Sequence, residues 1–82
     1  MAQRLLHLTI SRVDEPIFDG DVISVHVPGV AGEMTLMAHH TALISPLKKG
    51  TLTITKENSE KEIVEINAGT LEISENHATI LI

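Results

Sequence analysis

The sequence predicts an all-β domain, a two-sheet antiparallel β-sandwich of about eight to ten short strands. Three observations lead there. Of the 82 residues, 24 are Ile, Val or Thr, whose branching at Cβ stiffens the side chain and favours a pleated backbone. Apolar and polar residues alternate at period two in several short runs. Turn-forming residues punctuate those runs at intervals of about 8–12 residues. With 43% hydrophobic residues and one aromatic, Phe18, the core is expected to be aliphatic. A chain of 82 residues suits one domain, here residues 1–82, with no linker, repeat or low-complexity stretch.

Each element follows from the alternation. Leu6, Leu8 and Ile10 point one way, and His7, Thr9 and Ser11 the other. Ile23, Val25 and Val27 alternate with Ser24, His26 and Pro28. Met34 to Ile44 contains neither Gly nor Pro and is read as a strand, a turn through His39 and His40, and a second strand. Leu52 and Ile54 alternate with Thr51, Thr53 and Thr55, and Leu71 and Ile73 with Thr70, Glu72 and Ser74. Ala78, Ile80 and Ile82 close the chain, and with Leu81 also apolar that strand is expected to be covered on both faces. Turns are expected at Asp19-Gly20, Pro28-Gly29, Lys48-Lys49-Gly50, Asn58-Ser59, Asn67-Ala68-Gly69 and Glu75-Asn76. Ser59-Glu60-Lys61-Glu62 has the form of a helix capping box. A helix there would end at Asn67-Ala68-Gly69 within two turns, so a hairpin is the preferred reading.

Composition excludes several functions. Six Lys+Arg against eleven Asp+Glu leave a formal charge of −5, unfavourable for nucleic acid, where phosphate neutralisation dominates. One aromatic offers no stacking platform for single strands. No run approaches the length of a membrane span, and His7 and Thr9 interrupt any signal-peptide core after Met1-Ala2-Gln3-Arg4-Leu5-Leu6. There is no Cys, hence no disulfide or thiolate nucleophile. No phosphate-binding loop, dinucleotide fingerprint or nucleophile elbow occurs. No catalytic residue, cofactor-binding residue or metal ligand is therefore assigned.

Two groups of titratable residues compete for a role. His7, His26, His39, His40 and His77 lack the His-x-His or His-x3-His spacing that sets two imidazoles on one face. They read as solvent-facing or turn histidines, with a zinc or copper site as the alternative. Asp14, Glu15, Asp19 and Asp21 read as solvated turn residues rather than an acid–base pair. The run Lys56 to Glu62 reads as a solvated hairpin tip.

A longer pattern is more specific. Phe18-Asp19-Gly20 is followed by Val25-His26-Val27-Pro28-Gly29, then Gly32-Glu33-Met34-Thr35-Leu36-Met37-Ala38-His39-His40-Thr41-Ala42-Leu43-Ile44, then Leu47-Lys48-Lys49-Gly50. Further on, Asn67-Ala68-Gly69-Thr70-Leu71-Glu72-Ile73 supplies a late glycine-led strand. In order and spacing this resembles the N-terminal β-sandwich domain of the epsilon subunit of F-type ATP synthase (delta in mitochondria), over essentially the whole chain. Two positions depart from the family pattern. His39 stands where Gly or Asn is usual, which matters if that turn needs a positive φ. Ala42 stands where Pro is usual. The family's C-terminal helical hairpin, with its regulatory features, is expected to be absent from these residues.

The resemblance implies a non-catalytic rotor subunit in the central stalk, coupling gamma-subunit rotation to the membrane c-ring and requiring no cofactor. It implies gamma contacts at Arg12, His40, Thr41 and Ala42, and c-ring contacts at Glu33 and Met34. Leu36 and Met37 are candidates for added apolar contact, the alternative being plain core. It further implies a peripheral location on the cytoplasmic face of the bacterial membrane. The residues themselves leave open a free-standing sandwich that binds a small ligand or metal through its histidines.

Overall fold

A computed structural model describes residues 4–13 and 15–82. Asp14, grouped above with the acidic residues, and residues 1–3 lie outside them. Among the described residues there are eight strands: β1 (Leu6–Arg12), β2 (Glu15–Gly29), β3 (Gly32–Met37), β4 (Leu43–Leu47), β5 (Gly50–Lys56), β6 (Lys61–Ile66), β7 (Gly69–Ser74) and β8 (His77–Leu81).

The eight strands make a two-layer β-sandwich whose layers share β2. The first half of β2 pairs with β1, followed by β8, β7 and β4; its second half pairs with β3 on one side and β5 on the other, with β6 beyond. Val22 is the crossing point, opposite Leu6 in one layer and Lys56 in the other. One strand long enough to serve both layers explains the first difference from expectation. Asp19-Gly20 is no turn: Asp19 faces Thr9 and Gly20 faces Leu8 within an unbroken 15-residue strand. The missing side chain at Gly20 is covered by the Phe18 ring, 3.7 Å from where a Cβ would lie.

A register shift between Val22 and Ser24 is the second difference. Such a bulge adds one residue and resets the alternation. Val22, Val25 and Val27 are therefore fully buried, whereas Ile23 is only partly so. Pro28-Gly29 ends β2 rather than turning; the turn falls on Val30 and Ala31 and closes at Gly32, φ +143. The ladder is also mixed. β8 returns from the β7 hairpin to lie parallel to β1, while the other pairings are antiparallel. Leu81 is 56% exposed, so the last strand is buried on one face only.

The other buried positions and turns lie where the alternation placed them. Leu6, Leu8, Ile10, Leu52, Ile54, Leu71, Ala78 and Ile80 are fully buried, with Ile73 nearly so. Each large aliphatic side chain so buried contributes about 1.5–3 kcal/mol relative to an exposed one. The segment around Ser59 is a β5–β6 hairpin, and its Lys56 ammonium pairs with Glu62 at 2.8 Å. Glu75 and Asn76, with φ 51 and 61, form the two-residue turn that joins β7 to β8.

Candidate functional site

The strand registers sort the loops into two ends of the sandwich. At one end lie the β1–β2 connection beside Arg12, the β2–β3 hairpin, the β4–β5 turn at Lys48 and Lys49, and the β6–β7 connection at Asn67 and Ala68. The Ile82 amide donates to the Ser11 carbonyl there, and Leu47 pairs with both Gly29 and Gly69. At the other end lie the β3–β4 turn with His39 and His40 and the β7–β8 turn.

Glu33 sits one residue past the hairpin turn, with its side chain 66% exposed. Met34 is half-buried and packs against the core, Leu36 is fully buried, and Met37 is 56% exposed. Of the three apolar candidates, Met37 alone presents a large surface. On the outer face of this layer His26 stands directly across from Thr35, with Glu33 on the diagonal. The His26 Nε2 lies 2.7 Å from Glu33 Oε1, and its Nδ1 lies 2.8 Å from Thr35 Oγ1. Glu33 is thus held by a histidine that the spacing of the sequence did not connect with it.

At the opposite end His39 takes φ 62, the left-handed conformation for which Gly or Asn is better suited. Its amide donates to Asn76 Oδ1 at 2.8 Å, while Asn76 Nδ2–H donates to the Leu5 carbonyl at 2.8 Å. Asn76 thereby ties the turn to the start of β1. His40 is half-buried and donates from Nδ1 to the Thr41 carbonyl at 2.8 Å; Thr41 and Ala42 are exposed. Beside them an open groove of about 380 Å³ is lined by Ala42, Leu43, Ile44, Glu72, Ile73 and Ser74, with Ile44 72% exposed. Arg12 lies at the far end of β1 from this turn, about 20 Å away at roughly 3.3 Å per residue.

A second histidine cluster occupies the outer face of the first layer. His7 Nδ1 is 2.9 Å from Asp21 Oδ1, and His7 Nε2 is 2.7 Å from Asp19 Oδ1. Thr9 Oγ1 donates to the same Asp19 oxygen at 3.2 Å and lies 3.0 Å from His77 Nε2. The His7 and His77 rings meet edge to face, centroids 4.8 Å apart. Carboxylates only accept hydrogen bonds, so both contacts of His7 are made together only by the doubly protonated imidazolium. The bond to Asp21 is the chief force raising the His7 pKa above 6.5; desolvation opposes it and Asp19 adds to it. Asp19 and Asp21 are exposed, as expected, but they are strand residues engaged with His7 rather than turn residues. Only the cross-strand register shows this, since the partners are 12 and 14 positions apart. Among the described residues no three His, Asp or Glu side chains converge as a metal site. Nor does any helix among them have the length and apolarity to cross a membrane.

Fold and geometry together define a small two-layer β-sandwich whose candidate side chains sit on loops at its ends and on its outer faces. Residues 5–82 match the family described as ATP synthase, Delta/Epsilon chain, beta-sandwich domain. The chain belongs to this family. It is similar to the ATP synthase epsilon chain of Protochlamydia amoebophila (strain UWE25), with 39% identity over 77 residues, 94% of this chain and 52% of that relative. The chain thus spans about half the length of that relative. Two cryo-EM structures share the fold. One chain of the Euglena gracilis mitochondrial ATP synthase, OSCP/F1/c-ring in rotational state 1, superposes with TM-score 0.87 and 24% identity, covering 99% of this chain and 51% of that one. One chain of the Tetrahymena thermophila mitochondrial ATP synthase central stalk and c-ring gives TM-score 0.78 and 11% identity, covering 99% and 65%.

Proposed function

We propose that this chain is a non-catalytic central-stalk component of a bacterial F-type ATP synthase, coupling rotation of a gamma subunit to a proton- or sodium-driven c-ring on the cytoplasmic face of the membrane. Such a part must be stiff, since compliance dissipates torque, and it must be gripped in two places. Two β layers that share one strand over a close-packed aliphatic core supply the stiffness. The observation that carries the reading is Glu33. Its carboxylate projects from a tight hairpin at one end of the body, exposed and oriented, as a contact to a basic ring loop requires. Charges at the rim of an interface set register and association rate. Met34 stands beside it.

The gamma subunit is assigned to the first layer. His40, Thr41 and Ala42 meet it at one end, where exposed Ile44 adds apolar surface. Arg12 lies at the other end of β1, so this contact runs along the layer rather than forming one compact patch. The test is Glu33→Lys in the assembled synthase. The fold is expected to survive, because the side chain is exposed, while ions moved per ATP in membrane vesicles fall. An unchanged ratio overturns the assignment of Glu33.

A further inference from the structure

Glu33 is the one charged residue among the immediate neighbours of His26. Across the strands and on the diagonals, His26 otherwise meets Thr35 and Met37 from β3 and Thr51, Thr53 and Thr55 from β5. Thr35 has one hydroxyl hydrogen, and the His26 Nδ1 is 2.8 Å away. When that hydroxyl donates to Nδ1, the neutral ring carries its hydrogen on Nε2, and Nε2 faces Glu33 Oε1 at 2.7 Å. The chain Thr35 to His26 to Glu33 is then satisfied at every step without protonating the imidazole further. Glu33 Oε2 has no hydrogen-bond partner among the described residues.

We propose that His26 is the positioning residue for Glu33: oriented by Thr35, it holds one carboxylate oxygen so that the other is presented from the hairpin end to a cationic group of the ring. This inference rests on the proposed contact of Glu33 and adds the means by which the contact is pre-organised. A glutamate has three rotatable side-chain bonds, and fixing one such side chain on binding costs about 0.5–1.5 kcal/mol. His26 meets that cost before the partner arrives. A gain of this size corresponds to roughly two- to tenfold in affinity.

The test uses three variants of the full chain: His26→Val, His26→Gln and Glu33→Gln. Valine keeps the β-branched character of a strand position and removes the donor; glutamine restores an acceptor for Thr35 and a donor for Glu33. Thermal melting first establishes that each is folded; should His26→Val not fold, His26→Thr takes its place. Two readouts follow, the Glu33 side-chain rotamer by NMR couplings and the dissociation constant for purified c-ring. His26→Val is expected to average the Glu33 rotamer and weaken ring binding about two- to tenfold, and His26→Gln to restore both. A single Glu33 rotamer in His26→Val, or equal loss in His26→Val and His26→Gln, overturns the inference. If Glu33→Gln binds the ring as the unchanged chain does, the contact assigned to Glu33 fails instead, whatever the rotamer shows.

Discussion

His7 and His26 lie on the outer faces of the two layers, each on a strand paired on both sides and each with both ring nitrogens engaged. Their surroundings differ by one group. His7 has a carboxylate at either nitrogen; His26 has a carboxylate at one and a hydroxyl at the other. A hydroxyl can donate as well as accept, so a neutral imidazole fits beside Thr35. Two carboxylates cannot donate, so the bridge between Asp19 and Asp21 needs a proton on each nitrogen. Exposure is nearly the same for the two side chains, 43% and 40%, so the difference in hydrogen bonding around the rings comes from their partners. The first cluster is a proton-dependent brace across β1 and β2, and the second a hydrogen-bonded holder for Glu33.

The largest effect is expected from disrupting the core beneath both faces. Val25→Asp places an unpaired carboxylate at a fully buried position next to His26. It is expected to cost more than about 4 kcal/mol and to abolish the cooperative melting transition. A native-like melt would show that the His26 face is not braced by this core.

A narrower test concerns pH. Because its pKa in the folded chain is raised above 6.5, the stability contributed by His7 is fully present below that value and lost as pH rises through the folded value. Melting temperature should decline across that interval. Joint replacement of Asp19 and Asp21 by Asn should flatten this pH dependence, whereas Glu33→Gln should preserve it. A decline surviving the loss of both aspartates would assign it to another group.

A smaller effect is expected at the β3–β4 turn, whose His39 belongs to neither cluster. His39→Gly removes a side chain held at φ 62, and relief of that conformation should stabilise the fold by about 1 kcal/mol, read as a higher urea midpoint. An unchanged or lower midpoint would mean that the His39 side chain contributes more than its backbone costs. The smallest expected effect is that of Thr35→Val. It removes the hydroxyl beside His26 Nδ1 and should cost only about 0.5 kcal/mol, because the bond is solvent-exposed. Its signature is a change in the tautomer of His26 by imidazole nitrogen shifts, with His7 unmoved.

Much of this was legible in the residues. The alternation of Leu6, Leu8 and Ile10 and of Leu71 and Ile73 marked the buried face directly, and the Glu75-Asn76 turn marked its hairpin. The departure at His39 was flagged as mattering if the turn needed a positive φ, and the turn has one. The reading missed where one strand serves two layers. Asp19-Gly20 has turn chemistry, but its ladder partners Thr9 and Leu8 and the cover from Phe18 keep it extended. Ile23 fell out of phase because a bulge cannot be seen in a period-two pattern. The site was legible in part: Glu33 was singled out, while His26, His7 and His77 were read as plain surface histidines.

Most strands, most turns and the aliphatic core were set by the residues alone, because side-chain period and turn chemistry act over a few neighbouring positions; the family was legible from the order and spacing of the longer pattern. Tertiary structure alone decided which polar groups meet. Thr9 and His77 come together across 68 positions, and Glu33 meets His26 on a diagonal between strands. Both contacts depend on register: the β2–β3 turn fixes it for His26 and Glu33, whereas that of Thr9 and His77 is set only when β8 closes against β1.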